Sequence, residues 1–182
     1  LLSRRLEMLR SLAYSEGRNI IIINQVGGSG DIVYDGTSGI MNKQGEIELY
    51  MKSFEEDFVL FDTLAEHKPV NVPYTTYNDR TRMVYHAACL GLRDYFHKSG
   101  YKKACVGLSG GIDSSVVACL AVGALGKENV KGLMMPSQFS SDESVEDAKM
   151  LAENLGIEYS VLPITEAYTA ILDTLKPVTG GT

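Results

Sequence analysis

The sequence predicts an α/β protein whose C-terminal half, from residue 80 onward, is a doubly wound parallel sheet. Apolar runs of strand length alternate there with segments of helical periodicity, which implies right-handed crossovers between parallel strands. The N-terminal part instead has one helix followed by several short β segments. The chain has 182 residues and 45% hydrophobic content, enough to fill one core or two small ones.

The N-terminal half opens with a predicted helix. Leucines recur at helical spacing from Leu1 to about Ser15, and Gly17 ends the pattern. Residues 19–24 contain four consecutive isoleucines and predict a strand buried on both faces. Glycine-rich residues 27–31 predict a turn. Further short β segments are expected at 32–34, 38–41, 46–51 and 58–61.

Residues 63–79 hold Pro69 and Pro73 without sustained periodicity, and they predict a linker between two domains. We therefore expect domains at 1–62 and 80–182.

Ser140 and Glu143 form a capping-box pattern at the start of one helix. The predicted elements after the linker are helices at 80–99, 114–125, 143–155 and 165–175, and strands at 104–108, 130–135 and 158–162.

Residues 109–115, Ser-Gly-Gly-Ile-Asp-Ser-Ser, stand between the strand at 104–108 and the helix that follows. A strand that leads through glycines into a helix N-terminus forms a cradle for anions, because backbone N–H groups and the helix dipole both point at the ligand. In an α/β sheet this loop lies at the carboxyl ends of the strands, where ligands bind. Residues 134–141 follow the next strand, so we expect them to face the same crevice. The alternative is a simple glycine turn in which serine caps the next helix. Neither the Walker pattern nor Gly-x-Gly-x-x-Gly is present.

Asp113 lies within this loop, where a carboxylate would repel a bare phosphate. A divalent cation shared between the carboxylate and phosphate oxygens removes the repulsion. The loop therefore predicts Mg²⁺ with a nucleoside triphosphate, and Asp113 as the metal ligand.

The composition excludes several other classes of protein. The net charge is −6, without a basic run, which argues against binding to nucleic acid or to a membrane surface. Cys89, Cys105 and Cys119 lie in apolar stretches without metal-ligand spacing, so we expect three buried free thiols in a reducing compartment. No stretch has the pattern of a signal peptide or the length of a membrane span. We expect a cytoplasmic protein and, since the chain begins Leu-Leu-Ser, a piece of a longer one.

Three motifs in order resemble the synthetase domain of glutamine-dependent NAD synthetases, members of the ATP pyrophosphatases. They are residues 91–95 with 98–100, residues 107–115, and the Met-Pro-Ser-x-Phe-Ser-Ser stretch at 135–141. Arginine is frequent in related sequences where Gln138 stands here. The resemblance implies an adenine-nucleotide α-hydrolase-like fold. It also implies ATP binding by Gly107, Leu108, Ser109, Gly110, Gly111, Ile112, Asp113, Ser114, Ser115 and Met135.

The first half independently resembles the C-terminal part of a nitrilase-type glutaminase, in residues 24–28, 33–38 and 54–57. This is the glutaminase type fused to such NAD synthetases, and it implies that the N-terminal part is the end of an α/β nitrilase-type sandwich. The Cys, Glu and Lys that catalyse glutamine hydrolysis are expected upstream of Leu1, so no catalytic residue is assigned here. Glu55 and Glu56 are expected to be surface or inter-domain residues.

The resemblance implies a carbon–nitrogen ligase of NAD biosynthesis. ATP would adenylate deamido-NAD, and ammonia from glutamine would displace AMP to give NAD. ATP and Mg²⁺ are the expected cofactors, deamido-NAD and glutamine or ammonia the other small-molecule substrates, and a homo-oligomer the expected assembly. The fragment alone is expected to be inactive. The alternatives are a GMP synthetase-like or tRNA-thiolating enzyme, or a non-catalytic nucleotide-binding fragment.

Overall fold

The computed structural model describes residues 2–70 and 79–180. The chain divides into two compact units, Leu1–Tyr95 and Phe96–Thr182. No helix in the described part of the chain is long and apolar enough to cross a membrane. The predicted α/β class is confirmed.

The first unit begins with helix α1, Leu2–Glu16, and continues into a three-stranded antiparallel sheet of order β1-β4-β5. Its core joins α1 to the sheet, because Leu9, Ala13 and Met41 are buried together. The strands of this sheet are β1 (Ile20–Ile22), β4 (Gly39–Met41) and β5 (Ile47–Tyr50).

A separate hairpin, β2 (Val26–Ser29) with β3 (Ile32–Asp35), corrects the prediction of a turn at 27–31. The glycines at 27 and 28 are paired strand residues, opposite Tyr34 and Val33. The turn is confined to the two residues between the strands.

Two other predictions for the first unit are wrong. Residues 58–61 form no strand, because they pair with no strand in the described chain; residues 58–60 lie exposed and Phe61 is half-buried. The isoleucine strand is not buried on both faces: Ile21 is 55% and Ile23 86% exposed. As an edge strand that pairs with β4 alone among the described strands, β1 has neighbours on one side only.

Helix α2, Arg80–Lys98, matches the helix predicted after the linker. Its C-terminal turn passes into the second unit, whereas Leu90 and Asp94 belong to the first. The compact units therefore divide at Tyr95, inside this helix. The predicted domain boundaries at 62/63 and 79/80 remain predictions. Residues 63–70 contain no helix or strand, and the rest of the predicted linker up to 78 lies outside the described residues.

The second unit is a parallel sheet of order β6-β7-β8 connected by helices, as predicted. Alanines allow the helices to approach the sheet closely: Ala118, Ala121 and Ala124 of α3 and Ala148 and Ala152 of α4 are all buried. The strands are β6 (Ala104–Gly107), β7 (Val130–Met134) and β8 (Glu158–Val161). The helices are α3 (Ile112–Leu125), α4 (Asp142–Leu155) and α5 (Thr165–Thr179).

Two further local predictions need correction. The cap of α4 is Ser141, whose hydroxyl accepts from Ser144 N, and not Ser140. The Ser140 hydroxyl instead accepts from Ser137 N at 3.0 Å, in the turn before the helix. The three cysteines are free, but only Cys89 is buried; Cys119 is half-buried and Cys105 exposed.

Candidate nucleotide-binding site

The predicted phosphate loop follows β6 at the carboxyl end of the parallel sheet. Leu108 extends the strand by one residue, because its N–H donates to Leu133 O at 2.8 Å. Its side chain is buried above Gly132, where a Cβ would stand 2.7 Å from Leu108 Cδ1. A glycine in the central strand β7 therefore makes room for the residue that anchors the loop.

The loop serines hold the loop in shape. Ser114 Oγ accepts from Ser109 N at 3.2 Å and donates to Gly111 O at 3.0 Å. Ser115 Oγ also donates to Gly111 O, at 2.9 Å. In this structure the hydroxyls are thus engaged with the loop's own backbone, and they position its N–H groups.

Gly110 is the most constrained position of the loop. Its φ is +78°, a left-handed conformation that favours glycine. A Cβ at this position would stand 2.3 Å from the carbonyl oxygen of Ser144 in the first turn of α4. The loop and the start of α4 therefore meet backbone to backbone.

Helix α3 begins directly after Gly110 and Gly111. Its N-cap residue is Gly111, and no side chain caps the helix. The first-turn N–H groups of Ile112, Asp113 and Ser114 have no acceptor inside the helix, because an α-helix supplies none at its N-terminus. Together with the helix dipole, these donors favour an anion.

Beside the loop lies an open cleft of about 480 Å³. It brings the end of β6 together with the end of β7 and the start of α4. Of the predicted site residues, Gly107, Leu108, Ser109 and Met135 line it, whereas residues 110–115 do not. The other lining residues are Met134, Pro136, Phe139, Ser140, Ser141, Ser144 and Val145.

Phe139 belongs to the stretch 134–141 that was expected to face this crevice, whereas Ser144 was not predicted to line it. Phe139 is 76% exposed and meets the Tyr168 ring edge to face, with centroids 5.8 Å apart. The rule that loops at strand carboxyl ends face a common crevice could have been extended to Ser144, since it follows the same loop after β7.

Asp113 lies exposed in the first turn of α3. In the described part of the chain, no three His, Cys, Asp or Glu side chains are grouped so that they could hold a metal. A single carboxylate is nevertheless compatible with Mg²⁺, which binds through one or two carboxylates while phosphates and water complete its coordination. Asp113 as a metal ligand remains a prediction.

Comparison with known proteins identifies the family. The profile of the NAD synthase family matches residues 84–180, which include β6, the loop, α3 and the cleft. The chain belongs to the NAD synthase family. This match confirms the predicted family resemblance and does not favour the GMP synthetase-like or tRNA-thiolating alternatives.

Curated relatives extend the NAD synthase match into the first unit. The glutamine-dependent NAD(+) synthetase of Thermotoga maritima is 39% identical over 97% of this chain and 36% of its own length. That of Synechocystis is 46% identical over 80% of this chain and 26% of its own length. The chain spans about a third of the length of such relatives.

A solved structure agrees with the fold. The glutamine-dependent NAD+ synthetase of Acinetobacter baumannii, in complex with ADP, matches 99% of this chain and 34% of its own with a TM-score of 0.86 and 34% identity. A synthetase of this name from Cytophaga hutchinsonii, 19% identical, shares the fold with a TM-score of 0.78. The fold assigned to the NAD synthase chain is thereby confirmed over both units.

Proposed function

We propose that the protein to which this chain belongs amidates deamido-NAD to NAD, with ATP as the activating substrate and glutamine as the ammonia source. The observation that carries this proposal is the uncapped start of α3 behind Gly110 and Gly111, in a chain of the NAD synthase family. The glutamine-dependent relatives, which match the first unit as well, support glutamine as the donor.

The chemistry requires an activated carboxyl group. The carboxylate of deamido-NAD attacks the α-phosphorus of ATP, and pyrophosphate leaves with the electron pair of the broken P–O bond. Ammonia then adds to the acyl carbon, AMP departs, and the nitrogen loses a proton to give the amide. Hydrolysis of glutamine to glutamate supplies the ammonia.

In this proposal the loop binds the part of ATP that becomes pyrophosphate. The N–H groups of Ile112 and Asp113 face the accumulating negative charge, and the bonds of Ser114 keep those donors in place. The cleft lined by Gly107 and Met135 receives the rest of the nucleotide. Magnesium, when bound at Asp113, neutralises phosphate charge.

Several further assignments belong to the proposal. The domains are residues 1–62, of the glutaminase, and 80–182, of the synthetase, joined by the linker at 63–79. The glutaminase Cys, Glu and Lys lie in a part of the protein outside this chain. The protein is cytoplasmic and homo-oligomeric, and its partners are small molecules rather than nucleic acid or membrane.

The test is a substrate panel with the full-length protein. Deamido-NAD, xanthosine monophosphate and tRNA are supplied in parallel with ATP, Mg²⁺ and ammonium, and pyrophosphate release is measured. We expect release with deamido-NAD alone. Release only with another acceptor would reassign the reaction, and calorimetric binding of ATP without turnover on any acceptor would show a nucleotide-binding module.

A further inference from the structure

Within the first unit, helix α2 lies against the β2–β3 hairpin at a distance that glycines allow. A Cβ on Gly28 would stand 3.3 Å from Gly91 Cα, and a Cβ on Gly91 would stand 3.1 Å from Val33 Cγ2. Gly27, at φ +124°, leaves room for Asp94, since its Cβ would stand 2.8 Å from Asp94 Oδ2. The backbones of helix and hairpin thus approach each other closely.

A hydrogen bond fixes this approach. Asp94 Oδ2 accepts from the backbone N–H of Gly28 at 2.7 Å, between residues 66 positions apart in the chain. The bond is partly buried. A carboxylate acceptor makes such a bond shorter and stronger than a neutral one.

A second contact lies two helical turns earlier on α2. The ring of His86 stacks on Phe54 with centroids 5.8 Å apart and an interplanar angle of 23°. Phe54 has a φ of +60°, and its N–H donates to Asp35 O at 2.9 Å. Non-glycine residues persist in this strained region only where their surroundings enforce it. The helix is therefore held at two points, Asp94 and His86.

The NAD synthase profile covers only one of the two residues that form the Asp94–Gly28 hydrogen bond. Residue 94 lies within the region matched by the NAD synthase profile, whereas Gly28 precedes its first residue, 84. The contact therefore fastens the first helix of the synthetase region to a hairpin outside that region.

We propose that Asp94 is a positioning residue that couples glutamine hydrolysis to amidation. This inference rests on the proposed function. Ammonia released at one site must reach the adenylated intermediate before it escapes into water, and this requires a fixed arrangement of the two domains. The Asp94–Gly28 bond, supported by the Gly91 contact, restricts the freedom of the first synthetase helix on the hairpin. Asp94 itself touches no reacting atom in this scheme.

The experiment uses the full-length protein and compares Asp94→Ala and Asp94→Asn with wild type. NAD formation is measured once with glutamine and once with saturating ammonium, and glutamate released per NAD is counted. Asp147→Ala, which removes an exposed carboxylate on α4, is the matched control. NAD formation from ammonium by the wild-type protein tests the proposed function separately.

We expect Asp94→Ala to lower the glutamine-dependent rate about tenfold while the ammonium-dependent rate stays within about twofold, the size expected when a hydrogen bond to a charged acceptor is lost. Glutamate per NAD rises accordingly. Asp94→Asn keeps an acceptor oxygen and restores part of the coupling. An unchanged ratio of the two rates in Asp94→Ala, or in Asp94→Asn should the alanine variant be insoluble, overturns the inference. Equal loss of both rates also overturns it.

Discussion

Gly110 and Ser144 meet so closely that a methyl group on Gly110 would stand 2.3 Å from the Ser144 carbonyl oxygen. This contact joins the loop after β6 to the first turn of α4, where Ser144 lines the cleft. The N-terminal donors of α3 depend on this loop conformation for their direction.

Replacing Gly110 by alanine should therefore distort the loop. Gly100 provides a matched control, since its φ of +75° is nearly the same while nothing lies within 4 Å of its Cβ position. Gly100→Ala should cost only the left-handed penalty of about 1–2 kcal/mol. Gly110→Ala should cost more and weaken ATP binding at least about tenfold, since the backbone N–H donors would be displaced from the phosphates. Thermal unfolding measures the loss of stability, and calorimetry measures the loss of nucleotide affinity. Equal losses in Gly110→Ala and Gly100→Ala would contradict the contact with Ser144.

Asp113→Ala should abolish NAD formation by the full-length protein from either ammonia or glutamine. The glutaminase reaction should stay measurable, because the proposed role of Asp113 is confined to the metal and the phosphates. Glutamine hydrolysis and NAD formation are assayed side by side, with Asp147→Ala as the control. Normal turnover with ammonia in Asp113→Ala would show that the Asp113 carboxylate has no role in the reaction.

Lys131 lowers the pKa of Glu158 below its ordinary value of 4.5, first through a side-chain hydrogen bond and then through charge attraction. Because the pKa is lower in the folded state, the stabilising contribution is present above pH 4.5 and is lost as the pH falls through the lowered value. The pair is exposed, so the effect on stability is small.

Lys131→Met should raise the pKa of Glu158 toward its ordinary value, as followed by NMR titration of the carboxyl carbon. Lys149→Met is the control, because Lys149 pairs with Glu146 instead. A Glu158 pKa that does not respond to Lys131→Met would disprove the pairing.

The three cysteines should react with iodoacetamide at different rates in the 182-residue chain. Cys105 should be labelled first, Cys119 more slowly and Cys89 last, in the order of their exposure. Peptide mass spectrometry gives the order, and Cys105→Ser should remove the fastest phase. Uniform labelling in the unfolded chain serves as the reference.

The second unit could be predicted almost completely, because its elements carry their own local signals. An apolar run precedes Ser109, glycines follow it, and a capping pattern marks the start of α4. Each of these signals predicts one element without reference to distant residues. Parallel order then follows from the alternation of strands and helices. Errors are small here, such as the cap of α4 at Ser141 instead of Ser140.

The first unit was predicted less well, because its strands depend on partners far away in sequence. Gly27 and Gly28 have the composition of a turn, yet β3 and Asp94 hold them as a strand. Residues 58–61 have strand composition but pair with no described strand. The same holds for Cys105 in the second unit, because the alternation of burial in β6 depends on what packs on each face of the sheet.

The start of α3 has one more consequence, for stability. Because Gly111 offers no side chain to the first-turn amides, a bound phosphate would act as the missing cap, and occupancy becomes linked to folding. At a nucleotide concentration 100 times Kd, the folded state would gain about 2.7 kcal/mol. The nucleotide concentration would then affect the stability of the folded protein as well as its reaction rate.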